Sequence, residues 1–278
     1  MQDADRGEAE MTRPSPRAER SLFLDRLAGL AVSVPLALVP GSAIAMMVWA
    51  RFAFYQRHPD YVQESAPTIS RAISDPFIGA PFAMTILAVT AVIFTALVFL
   101  SRAFQVTIAH VWHDTPEQVR GRSRLSRIMI ACQVIGSSGM VLCTQYTFEN
   151  GHDLHMLGSY LFFIFQMLAI GMNGFLCTRI VRADHGGPWP DTALSPVATR
   201  FRVMFSKVVV VAALIYFTLF AIKRMDLPVT EYTIYYVYTV QEIITISAFI
   251  LYLMTFSLDA YRLGSRAVRS RLETAEAA

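Results

Sequence analysis

Six separate stretches of this chain run for about twenty residues or more with almost no charge, and that pattern constrains the fold more than any other feature. In hydrocarbon every backbone N–H and C=O must find a partner within the protein, so such a stretch becomes a helix, and about 20 residues cross the apolar layer. The stretches cover residues 27–49, 80–101, 128–148, 154–178, 203–222 and 232–258. They predict an all-α, polytopic six-helix transmembrane bundle. Only 16% of residues are charged, against roughly a quarter in a soluble domain, and the mean hydropathy of +0.43 agrees with lipid as the solvent.

The segments outside the spans divide the chain into a disordered tail over 1–20, a membrane domain over 21–261 and a second tail over 262–278. The first tail mixes Asp, Glu, Arg, Pro and Ala without apolar periodicity. A competing reading takes the first apolar run as the core of a signal peptide ending at Ala43-Ile44-Ala45, but the run continues through Met46, Met47, Val48 and Trp49.

Orientation follows from Lys and Arg, which accumulate on the cytoplasmic side. With both termini inside, 19 of the 24 basic residues fall on the inner side and five, Arg51, Arg57, Arg71, Lys223 and Arg224, on the outer. Both tails are therefore expected in the cytoplasm, and the protein in a plasma (inner) membrane. The net charge of +3 does not signal nucleic acid, because the arginines sit between apolar runs and not on a basic face interleaved with aromatics. Aromatic clusters at Trp49 to Tyr55 and Tyr232 to Tyr238 read as interfacial anchors.

Cys132, Cys143 and Cys177 lie inside apolar segments, and Cys132 and Cys143 stand about 16 Å apart along one helix, too far to pair. Neither a zinc-ligand spacing, a phosphate loop, a nucleophile elbow nor a dinucleotide fingerprint occurs, so no cofactor and no metal are expected.

Chemistry is sought first at Glu242, the one acid inside a span, because a carboxylate in lipid must face the bundle interior. Tyr235, Tyr238, Thr239 and Thr245 share its helical face. Glu242 belongs either to a polar site in the outer half of the bundle or to an interhelical hydrogen bond, with Gln145 or His155 as its expected neighbour. Glu149, His152, Asp153 and His155 cluster between spans three and four, as metal or proton ligands or as a capped turn. His110 and His113 suit an amphipathic extension of span two. The loop 50–79 carries Ser70, Ser74 and Asp75 among the apolar anchors Ile69, Ile73, Phe77 and Ile78. It is expected to fold over the bundle and bring Ser70, Ser74 and Asp75 into one pocket with Glu149, His152, His155 and Glu242.

These residues resemble those of the Frag/DRAM/Sfk family of six-span membrane proteins, which includes the damage-regulated autophagy modulators and the N-terminal part of the Cwh-type lipid-remodelling proteins. The resemblance rests on Pro67-x-Ile69-Ser70 with Ser74-Asp75 and Pro81, and on His152 or His155 before Gly158 and Phe162-Phe163. It rests further on Glu242 followed by an aliphatic run to Asp259, and it extends from about Leu22 to Tyr261. It implies a role in binding, organising or remodelling membrane lipids. The chain carries no appended soluble catalytic domain, so an independent hydrolase activity is not expected. Two alternatives stay open: an intramembrane acyltransferase or hydrolase with a His base, and a proton-coupled transporter in which Glu242 titrates. Membrane lipids are the expected partners, with a membrane protein or a second copy of the chain left open.

Overall fold

The computed structural model describes residues 16–184, 189–190, 193–223, 225 and 230–265. Of the expected tails over 1–20 and 262–278, residues 1–15 and 266–278 lie outside the described residues. The helices are α1 (Pro16–Arg57), α2 (Pro59–Glu64), α3 (Ile69–Ala72), α4 (Pro76–Val111), α5 (Pro116–Gln145), α6 (His152–Ala183), α7 (Pro196–Ile222) and α8 (Glu231–Met254). Helix begins at Pro16, so residues 16–20 belong to α1 and not to a tail without regular structure. No strand occurs among the described residues.

Six helices are long and apolar enough to cross a membrane, which makes this an integral multi-pass protein. They pack in a ring in which each neighbours the next in sequence: α1 on α4, then α5, α6, α7 and α8, with α8 closing on α1. Through the centre run large apolar side chains, among them Phe82, Ile86, Phe162, Ile170 and Phe249. Outward-facing Leu38, Val98, Val208 and Leu251 remain exposed to lipid. The first apolar run is part of this ring: α1 passes unbroken through Ala45, despite Pro35 and Pro40, and buries Ala43, Met47 and Ala50.

Helix starts follow from capping chemistry. Asp75 precedes Pro76 and accepts from the Phe77 amide at 2.8 Å, while Ser195 precedes Pro196 and accepts from Ala198. Helices run well past the apolar stretches. The 36 residues of α4 make a rod of about 54 Å, against about 30 Å of hydrocarbon. Arg120, Arg122, Arg124 and Arg127, which precede the expected span 128–148, ride on the first turns of α5. At the other boundary α4 does continue past span two and carries His110, but it stops at Val111, so His113 and Asp114 lie in a turn and not on that extension. After Met254, α8 is interrupted by one turn, and helix resumes over 257–265.

The tightest pairing is α5 against α6, where the backbones meet at small residues. A Cβ on Gly139 would lie 2.7 Å from the carbonyl oxygen of Gly158, and one on Gly158 would lie 2.5 Å from the Cys143 nitrogen. Gly171, by contrast, faces Val210 at an ordinary 3.7 Å. Gly158→Val is therefore expected to lower stability in mild detergent by about 1–3 kcal/mol or more, while Gly171→Ala leaves it nearly unchanged. Thermal unfolding of the two variants side by side measures this.

Candidate functional site

The connection from α1 to α4 forms a cap over one end of the bundle, held down by its own apolar residues. Ile69, Ile73 and Ile78 are buried as expected of anchors, but Phe77 is 60% exposed. Its ring instead lies beneath the Arg57 guanidinium at 4.7 Å and beside Trp49 at 6.2 Å. Within the cap, Thr68 caps the single turn of α3 by accepting from the Arg71 amide at 3.0 Å.

Glu242 is what ties the cap to the bundle. It is buried on α8, and its Oε2 accepts from the Ile69 amide at 2.9 Å. Neither expected neighbour is its hydrogen-bond partner. Gln145 is exposed at the end of α5, and His155 faces the carbonyls of Cys143 and Tyr146, both at 2.8 Å from its Nδ1. The physical reason is that the backbone of a loop entering a helix bundle arrives with unsatisfied amides, and a carboxylate oxygen accepts one strongly. Beside Glu242 is a cavity of about 20 Å³ lined by Ser70, Cys143, Thr144 and Ser159, large enough for about one water.

The expected single pocket is in fact divided. Ser70 belongs with Glu242 in the small internal cavity. Ser74, Asp75 and Glu149 instead line a second cavity, of about 310 Å³, in the outer surface of the cap together with Arg57, His58, Tyr61 and Arg71. His155 is fully buried, its ring tilted against Phe148 at 4.4 Å, and its Nε2 has no hydrogen-bond partner among the described residues. His152, one turn earlier, stays exposed beside the same ring at 5.4 Å. Glu149, His152 and His155 therefore do not act as one ligand cluster, and no group of three metal-binding side chains occurs among the described residues.

Asp75 organises the second cavity. Its Oδ2 accepts from Arg57 Nε at 2.7 Å and meets His58 Nε2 at 3.0 Å, while Oδ1 caps α4. Burial pushes its carboxyl upward, but hydrogen bonds from Arg57, His58 and the Phe77 amide outweigh that and hold it below the usual carboxylate range. Asp75 thus stays ionised at neutral pH. Arg71 lies over the Tyr61 ring at 5.2 Å, and no carboxylate among the described residues pairs with it. Sequence reasoning missed Arg57, His58, Tyr61 and Arg71. Their signal was present in Arg57 and Arg71, two of only five basic residues on the sparsely basic side.

A larger concavity of about 490 Å³ lies near the opposite end, between α1, α4 and residues 257–265. Its walls are almost wholly Ala, Val, Leu and Phe, without a charged group, so it offers no chemistry.

That opposite end has its own buried charge pair. Arg202 of α7 hydrogen-bonds Asp259, donates to the Thr255 carbonyl at 2.9 Å, and lies over the Phe256 ring at 3.9 Å. Asp259 also accepts from the Ser195 amide at 2.6 Å. Both charges are fully buried and paired with each other, and although Arg202 Nη1 has no hydrogen-bond partner among the described residues, the pair reads as structural.

Replacing Glu242 separates its hydrogen-bonding from its charge. Glu242→Gln keeps an acceptor for the Ile69 amide and is expected to leave the cap docked. Glu242→Leu strands that amide, at a cost of about 1–3 kcal/mol. Hydrogen exchange over 66–75 is therefore expected to be native-like in the first variant and accelerated in the second.

The family model described as the Frag1/DRAM/Sfk1/Cwh43P N-terminal domain covers residues 30–263. No curated protein and no solved structure matches the chain.

Proposed function

From the premise that the chain belongs to the Frag1/DRAM/Sfk1/Cwh43P N-terminal domain family, we propose that it is a membrane factor that binds lipid headgroups at the outer leaflet and organises the lipid around it. The observation that carries this reading is the cavity of about 310 Å³ in the cap, which lies in the size range of small-molecule sites. It concentrates Arg57, His58, Arg71, Asp75 and Glu149 beside aromatic rings at the end of the bundle.

Its depth favours a lipid over a freely soluble ligand. Trp49, Phe52 and Phe77 surround the same end of the bundle, and Phe52 and Phe77 are each 60% exposed. Aromatic side chains of this kind settle at the level of the headgroups. A ligand in the cavity can therefore keep its polar part on the arginines while its tails remain in the membrane. Placement at the outer leaflet rests on the 19 to 5 distribution of basic residues. A plasma (inner) membrane location rests on the same reading of topology.

The role is binding rather than catalysis because the imidazole in the bundle has no reacting partner in reach. Hydrogen bonds to His155 run to the carbonyls of Cys143 and Tyr146, whereas a base that activates a nucleophile needs a hydroxyl or thiol within hydrogen-bond distance.

Native mass spectrometry of purified protein, stripped of loosely held lipid, tests the proposal. The wild type is expected to retain phospholipid. The double variant Arg57→Gln/Arg71→Gln is expected to lose retention at least about tenfold, an effect of about 1.4 kcal/mol. A folded double variant, verified by gel filtration and thermal unfolding, that retains phospholipid as the wild type does would refute the assignment of this cavity.

A further inference from the structure

The charges in the cap cavity fall into two groups, and the difference between them points to the ligand. Arg57, His58 and Asp75 satisfy one another through two contacts, at 2.7 and 3.0 Å. Arg71 and Glu149 line the same cavity, yet neither forms an ion pair with the other or with any described residue. Arg71 is held in place from below by the Tyr61 ring, and Glu149 projects exposed from the turn between α5 and α6. One unspent positive and one unspent negative group thus face a shared space without closing on each other.

Building on the reading of this cavity as a headgroup site, we infer that its ligand is a zwitterionic aminophosphate headgroup, with the phosphate on Arg71 and a primary ammonium on Glu149. An anionic headgroup would satisfy Arg71 but bring negative charge towards Glu149, and a purely cationic one would do the reverse. Only a ligand carrying both signs, separated by a few bonds, neutralises both walls. Arg57 strengthens the phosphate side, since only its Nε is committed to Asp75.

The aromatic rings decide between a primary and a quaternary ammonium. A quaternary ammonium is recognised by open aromatic faces. Here Phe54 is buried, tilted against His58 at 4.4 Å and set edge-on to Tyr61 at 5.5 Å, and the Tyr61 face is taken by Arg71. With no free cage, the cation must be held by hydrogen bonds to a carboxylate, which a primary ammonium donates and a quaternary one does not. The preferred class is therefore the ethanolamine type over the choline type.

The test measures binding of short-chain phospholipids of identical acyl composition to the full-length protein in detergent, with ethanolamine, choline or glycerol headgroups, alongside water-soluble phosphoethanolamine. The ethanolamine lipid is expected to bind at least about tenfold more tightly than the glycerol lipid. Glu149→Gln should abolish that preference by weakening the ethanolamine lipid alone, and Arg71→Gln should weaken both lipids. Much weaker binding of soluble phosphoethanolamine would assign the ligand to the membrane, while equal binding would assign it to a free aminophosphate with the recognition chemistry unchanged. Equal or tighter binding of the glycerol lipid, with Glu149→Gln leaving the ratio as it is, overturns the inference while the headgroup site stands. If no phospholipid binds in an Arg71-dependent manner, the headgroup reading itself fails and the inference falls with it.

Discussion

The hydrogen bond from the Ile69 amide to the Glu242 carboxylate holds together the end of the molecule on which function depends. An irregular segment is tolerated against a membrane bundle only where its backbone polar groups are satisfied. Ile69 opens the short helix α3, and Glu242 receives its amide from within the ring of spans. Once that contact is made, Ile69 and Ile73 pack on the core, and the chain leaves α3 in the direction that places the largely buried Ser74 and Asp75 in the wall of the cap cavity. Asp75 then caps α4 and draws in Arg57 and His58 from the end of α1. The cap cavity is thus a consequence of how the loop is anchored.

The same device operates at the opposite end. Asp259, 17 positions beyond Glu242 and about 25 Å along a helical path, accepts the Ser195 amide from the segment leading into α7. Thr107 accepts the Leu194 amide, and Arg262 donates to the Leu194 carbonyl. Two acids from the last span region therefore each capture a backbone N–H of a connection, one at each end of the bundle. Their settings differ in what balances the charge. Asp259 is matched by Arg202, and removing either partner would leave a buried uncompensated charge at a cost of about 3–5 kcal/mol. At Glu242, by contrast, the hydrogen-bond donor among the described residues is the Ile69 amide, so the carboxylate serves to dock the cap.

The six spans were legible because apolar runs of this length have one solution in lipid. Their ends were not, since helix continues through Arg120 to Arg127 and beyond Ser101 where apolarity stops, carried by backbone bonding rather than by hydrophobicity. Glu242 could be assigned to the interior from the cost of exposing a carboxylate to hydrocarbon. Its partner could not, because the Ile69 amide is 173 positions away and every residue type carries an amide. Asp75 was legible as a polar residue of the cap loop, but its pairing with Arg57 across 18 positions follows no period and emerges only when the loop folds back. His152 and His155 were grouped by spacing alone, and one helical turn of depth separates an exposed ring from a buried one.

An outer-leaflet headgroup site requires that the cap lie on the outer face of the membrane, opposite the arginine-rich first turns of α5. The native cysteines Cys132, Cys143 and Cys177 are all free and buried, so a single cysteine introduced in the cap gives a clean signal. In intact cells, Gln63→Cys is expected to react with a membrane-impermeant maleimide, and Arg124→Cys only after the membrane is permeabilised. Labelling of Arg124→Cys in intact cells, with Gln63→Cys protected until permeabilisation, would put the cavity on the cytoplasmic face and contradict an outer-leaflet headgroup site.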